Sequence, residues 1–176
     1  MKTLPANPIR DPKALIGAIL LFSLAFAGAA VAAGDLPAKK ALPLAFARAA
    51  AAAALAACEQ SGYRVSVAVV DKAGLLKVML KADGAGPHTL DSSGKKAYTS
   101  LSLRHSTGEL VELVQKNPAA AGLKDMNDRI LILGGGLPIK AAGEVIGGIG
   151  VGGAPGGDKD EACALAGIEA IRDRLR

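Results

Sequence analysis

The sequence predicts an α+β domain in which antiparallel strands are covered by helices. Three observations carry that reading. Short β-branched runs bounded by glycine stand in two groups, Tyr63–Lys81 and Arg129–Gly153, and such runs are strand signals. The breaks inside each group are hairpin-sized, so neighbouring strands run antiparallel. Alanine-rich or capped stretches surround both groups. The order is helix, hairpin, helices, three-strand meander, helix, with the helices on one sheet face or on both.

Leu44–Ser61 holds alanine at most positions and is helical by propensity, and Gly62 is placed to end it. Leu44, Phe46, Leu55 and Cys58 give that helix bulk to pack. Tyr63–Val70 reads as a strand buried on at least one face. Asp71-Lys72-Ala73-Gly74 has the pattern of a type I turn, and Leu75–Lys81 is the returning strand. Ala82–Pro87 is a loop. Leu90–Leu103 follows as a helix capped by Asp91 or Ser92, with Gly94 weakening its first turn. Ser106-Thr107-Gly108-Glu109 fits a capping box that opens a short helix, Glu109–Gln115, and Asn117-Pro118 ends it. Ala119–Asp128 stays open between loop and helical turn.

The meander consists of Ile130–Leu133, Leu137–Ala141 and Val145–Val151, broken by Gly134-Gly135-Gly136 and by the stretch around Gly143. Asp158–Leu175 closes the chain as a helix. Asp158, Asp160 and Glu161 in its first turn and Arg172, Arg174 and Arg176 at its end suit the helix dipole.

With 176 residues the chain is long enough for one domain with a sizeable core. Residues 1–33 read as a cleaved secretory signal. Lys2, Arg10 and Lys13 form a basic start, Ala14–Ala27 is an apolar run short for a membrane span, and small residues follow. An uncleaved anchor is the competing reading, without a stop-transfer flank to support it. The protein is therefore expected to be periplasmic or secreted, with no stable membrane span after cleavage. Residues 34–43 are a polar, proline-bearing, flexible lead-in, and 44–176 form the domain.

Removing Lys2, Arg10, Lys13 and Asp11 from 21 basic and 16 acidic side chains leaves 18 and 15, a net charge of +3. That mild charge, with only Phe46, Tyr63 and Tyr98 left for stacking, counts against nucleic-acid binding. Cys58 lies near the end of the first helix and Cys163 near the start of the last. If those helices run antiparallel on one sheet face the two sulfurs meet, and a disulfide or a close thiol pair is expected; two isolated buried thiols are the alternative.

These residues resemble the GlcG/HbpS-like haem-binding family, which is related to the C-terminal domain of PduO-type corrinoid adenosyltransferases. The matching stretches are Val65–Val70 with Asp71 and Gly74, Asp83-Gly84-Ala85, Lys96-Ala97-Tyr98-Thr99-Ser100, and Gly135–Gly153. Together they span roughly residues 44–175. The resemblance implies a profilin-like fold with a five-stranded antiparallel sheet, assembly into homo-oligomers, dimers or larger, and haem as a possible cofactor. It also points to Lys96 and Thr99 as residues near the pocket.

Gly148–Gly153 satisfies G-x-G-x-x-G, but no second strand follows and the next helix opens with acids that repel a pyrophosphate. These glycines read as packing. His88 and His105 are the two histidines, and each is a candidate iron ligand through a ring nitrogen. His88 stands in a loop where it could reach a pocket mouth and is favoured. A surface histidine is the plain alternative for both. Arg104, with Lys95 and Lys96, is a candidate partner for haem propionates, against the default of a solvated helix face. Met79 and Tyr98 could coordinate iron but sit at core spacing. Asp83, Asp91, Asp125 and Asp128 form no acid–base pair by spacing, no Ser–His–Asp set is visible, and two cysteines with two histidines do not suggest structural zinc.

The functional expectation is an exported haem-binding or haem-handling protein that holds the tetrapyrrole by apolar contact, one ligand and basic groups. Two other readings stand beside it. One is a cofactor-free oligomeric module, structural or sensory, supported by the alanine-rich helix and glycine-rich sheet. The other is a small-metabolite enzyme, for which no catalytic set is visible.

Overall fold

The computed structural model describes residues 38–176. The expected signal segment lies outside the described residues. The elements are α1 (Leu44–Gln60), β1 (Ser66–Asp71), β2 (Leu76–Lys81), α2 (His88–Leu103), α3 (Thr107–Lys116), β3 (Gly136–Ala141), β4 (Glu144–Gly152) and α4 (Gly157–Glu169). A 3-10 segment, Pro118–Asp125, follows α3, and a 3-10 turn, Arg172–Arg174, follows α4. The strands form one antiparallel sheet in the order β2-β1-β4-β3.

The sheet therefore has four strands among the described residues, where the sequence implied five. The strand expected over Ile130–Leu133 does not form. Leu131 N donates to the buried Thr99 Oγ1 at 2.8 Å. Leu133 N folds back to Leu131 O at 3.0 Å. Both donors are spent locally, so no ladder to a neighbour can grow.

Local chemistry explains the other ends. Tyr63 N donates to Cys58 O and Gly62 N to Glu59 O, both 2.9 Å, with Gly62 at φ 79°. This is a Schellman closure of α1. In the first hairpin Asp71 Oδ1 accepts from Ala73 N and Leu75 N, at 2.9 and 3.0 Å. The helix α2 opens at His88 rather than Leu90, because Pro87 sets a helical φ ahead of it. Asp91 thus sits in the first turn, and Ser92 Oγ turns back to Thr89 O at 3.3 Å, so neither caps the helix. The capping box forms as expected, but α3 begins at Thr107. The last helix stops at Glu169, short of the expected Leu175. Leu42, placed by sequence in the lead-in, is 2 % exposed and packs in the core.

The described residues form three layers. On one sheet face, Val67, Val69, Ile149 and Val151 pack under Ala47, Ala50, Ala51 and Ala54 of α1 and Ala164 of α4. Cys58 and Cys163 join these two helices as a disulfide, with Cα atoms 5.5 Å apart. On the other face, Ala68 and Val70 of β1 meet Ala97 and Leu101 of α2.

Beside them β4 presents Gly148, Gly150 and Gly152 to α2. A Cβ at Gly148 would lie 2.2 Å from Ala97 O, and one at Gly150 would lie 2.2 Å from Ser93 O. The helix backbone rests directly on the strand backbone, which only glycine permits. Gly150→Ala is expected to destabilise the fold by about 2–3 kcal/mol, because the atoms in the way are helix backbone rather than mobile side chain. Urea midpoints check this; an unchanged midpoint refutes the close contact.

Candidate functional site

The corner between α2 and α3 faces β3 and α4 across a cleft of about 710 Å³. Leu137 and Pro138 of β3, Leu165 and Ile168 of α4, and Leu175 make its apolar wall. Arg104, His105, Ser106, Glu109, Lys140 and Arg172 make its polar side. Leu165 is 49 % exposed, an apolar side chain left open in a cleft.

The local sequence builds this corner. The helix α2 ends with Arg104 in the left-handed region, φ 61°. Ser106 Oγ then accepts from Glu109 N at 3.0 Å, and Ser106 N donates to Glu109 Oε2 at 3.1 Å. The same oxygen lies 3.2 Å from His105 Nδ1. A carboxylate at Nδ1 favours the tautomer with the proton there, which leaves the Nε2 lone pair available to a Lewis acid. Glu161 Oε1 of α4 accepts from Gly108 N at 2.6 Å and Gly135 N at 3.3 Å, tying α4 to the start of α3. Thr107 Oγ1 accepts from Gly136 N at 2.8 Å, which docks α3 on β3.

A second cavity of about 370 Å³ adjoins the cleft through Arg104 and Lys140, which line both. Its acid, Glu144, is held by Lys72, whose ammonium keeps that carboxyl below the usual carboxylate range. Arg172 is engaged by Glu169, which raises its guanidinium pKa further.

The structure separates the sequence candidates. Arg104 and His105 come together in the cleft. His88 does not join them: it is exposed at the first residue of α2, its ring beside Gly86, and lines neither of these two cavities. Lys96 and Thr99, expected near the pocket, are buried and spend their polar atoms within the fold. Thr99 is buried and accepts from Leu131 N. Lys96 Nζ, 3 % exposed, donates to Asp160 Oδ2 at 2.7 Å and to Val151 O at 3.0 Å. Asp160 Oδ1 in turn accepts from Ala154 N at 3.0 Å. Burial pushes the Asp160 carboxyl up, against the lowering pull of Lys96 and of the Ala154 and Gly153 amides.

Lys95 pairs with Asp91 at 3.2 Å. Met79 Sδ accepts from Ser93 Oγ at 3.7 Å. The Tyr98 ring carries the Arg129 guanidinium 3.7 Å from its centroid. Asp125 pairs with Lys124 at 2.9 Å. Among the described residues no three His, Cys, Asp or Glu side chains gather to hold a metal.

Sequence reasoning missed the cleft walls and the buried Lys96–Asp160 pair. Lys140 inside an apolar strand and two acids opening α4 were the available signals. Their convergence depends on the packing of β3, α2 and α4.

The family model described as "Haem degrading protein HbpS-like" matches residues 42–169. The chain resembles the crystal structure of a double mutant of HbpS from Streptomyces reticuli, with TM-score 0.73 and 44% identity, covering 78% of this chain and 92% of that one. It also resembles the crystal structure of a PduOC:Heme complex, with TM-score 0.70 and 28% identity over 75% of this chain and 96% of that one. Among curated proteins, a 15.0 kDa protein of the dhaT-dhaS intergenic region of Citrobacter freundii is 42% identical over 90 residues, 51% of this chain. The chain spans 63% of that relative's length.

Proposed function

Since the chain belongs to the HbpS-like family of haem degrading proteins, we propose that it binds haem, and does so in the cleft between the α2–α3 corner, β3 and α4. The observation that carries the reading is His105, 64 % exposed at the cleft, with Nδ1 held by Glu109. A bound haem supplies an iron that accepts such a nitrogen. Leu137, Pro138, Leu165, Ile168 and Leu175 offer the apolar surface that a flat macrocycle needs. The resemblance to the PduOC:Heme complex supports the same reading.

Export belongs to the proposal. The Cys58–Cys163 bond supports it, because disulfides persist in oxidising compartments. No helix among the described residues is long and apolar enough to cross a membrane. Self-association is also proposed. Leu75 and Leu76, exposed at 62 and 55 % at the start of the edge strand β2, support it.

Titration with hemin tests the haem reading. Wild type is expected to shift the Soret band, and His105→Ala is expected to bind at least about ten-fold more weakly. His88→Ala should match wild type. No shift in wild type ends the reading; weakening confined to His88→Ala moves the ligand to the start of α2.

A further inference from the structure

A groove of about 240 Å³ runs between α2 and the edge strand β2, and it shares no lining residue with the cleft. Val70, Leu76, Met79 and Leu90 make it apolar, and Gly94 lies on its helix side. Asp91, Lys95 and Arg129 are its charged residues.

Two of these residues are not accounted for by packing. Gly94 stands inside α2, where glycine weakens a helix relative to alanine. At Gly148 and Gly150 a Cβ would strike backbone at 2.2 Å; at Gly94 the nearest atom to a Cβ is Met79 Cε at 3.8 Å, an ordinary contact. Its φ is not in the left-handed region either. Neither sterics nor backbone demands glycine here; its effect is to leave the groove open.

Arg129 is the other. Asn127 Oδ1 accepts from Arg129 N at 2.8 Å, which fixes the backbone. The guanidinium lies over the Tyr98 ring, 3.7 Å from the centroid, and donates to Gly74 O. The fork is thus held in place with most of its N–H groups unspent. No carboxylate pairs with it among the described residues. Asp91 is taken by Lys95 at 3.2 Å, so the groove carries a single uncompensated positive charge.

We propose that this groove binds a small monocarboxylic acid with an apolar body, its chain on Leu76, Met79 and Leu90 over Gly94 and its carboxylate on the Arg129 fork. The lone uncompensated charge matches one carboxylate. A planar guanidinium already braced on an aromatic ring accepts it through two hydrogen bonds and loses little freedom in doing so. The volume is below that of sites for drug-sized ligands, which sets the size of the acid.

Octanoate and its neutral isostere octanamide, titrated into wild type, Arg129→Lys and Gly94→Leu, test the site through backbone amide shifts in two-dimensional NMR. Thermal unfolding of each unliganded protein is measured in parallel. Octanoate should move the amides of Leu76, Met79, Leu90, Gly94 and Arg129 together, with a Kd of about 1 mM or tighter and about ten-fold below that of octanamide. Arg129→Lys should lose about that factor for octanoate and none for octanamide, a split that a merely structural arginine would not produce. Gly94→Leu should lose both compounds with an unchanged or higher Tm, because the new side chain fills the groove and favours the helix.

Equal affinity for acid and amide overturns the proposal, as do shifts confined to Leu165 and Ile168 of the cleft. Full octanoate binding by Gly94→Leu overturns it too, and so does a fall in its Tm, since the glycine would then serve the fold. If the Leu76 and Leu90 amides respond to protein concentration and not to octanoate, a second copy fills the groove and the proposal fails. None of these outcomes touches the haem reading, which the hemin titration decides separately.

Discussion

Lys96→Met should cost the fold about 3–5 kcal/mol, the usual result of removing one member of a buried ion pair. The methionine fills much of the space but leaves the Asp160 carboxyl, 4 % exposed, without its ammonium. Burial already pushes that carboxyl up, and losing Lys96 removes the largest opposing influence. A carboxyl with a raised folded-state pKa lets the folded state take up a proton before the unfolded chain does. Stability therefore falls as pH rises from the ordinary carboxylate range through the folded value, and the penalty is absent below that range. The variant should come nearest to wild type in acid and fall furthest behind at neutral pH and above. Urea midpoints across pH check this, and a loss that does not vary with pH would refute the account. Lys96→Met with Asp160→Asn should recover more than half of the loss, because the amide oxygen still accepts from Ala154 N and no charge stays buried.

Removing the disulfide should be as costly. Cys58 and Cys163 are separated by 105 positions, so the bond closes a loop over most of the domain. In the chain-entropy account a loop of that length contributes about 4–5 kcal/mol by restricting the unfolded chain. Both sulfurs lie between α1 and α4, where paired serines would also bury two hydroxyls, so Cys58→Ala with Cys163→Ala is the cleaner comparison. We expect its Tm to fall by roughly 10–20 °C relative to the oxidised protein. Reductant should lower the wild type toward the variant and leave the variant unmoved. Equal Tm values for the oxidised protein and the variant would mean that the bond contributes nothing.

Much of the architecture was legible because it is set by neighbours in sequence. The Asp71–Gly74 turn, the Ser106–Glu109 capping box and the Gly62 helix end each need only a few residues, and each forms where the sequence places it. The cysteine pairing was legible once two helices were assigned to one face. Ile130–Leu133 was misread because an apolar β-branched run looks the same whether its amides meet a strand or a buried hydroxyl. Thr99, 32 positions earlier, decided the matter. The site was less legible. Lys96 and Thr99 stood out as motif residues, but their polar atoms are spent inside the fold. His105 was legible as a candidate, but that it lines a cleft and His88 does not appears only when β3 and α4 pack beside the α2–α3 corner.

The alternation along β4 also bears on how the chain finds its pairing. Glycines at 148, 150 and 152 lie beneath α2, and Ile149 and Val151 point the other way. A slip of one residue would thrust two branched side chains into a space sized for hydrogen atoms and empty the opposite core. Its partner β1 lies some eighty positions upstream, with Val67 opposite Val151, so the encounter must be made across a long stretch of chain. A strand that fits in one setting only, like a key cut on a single edge, rejects near-miss pairings before they can persist.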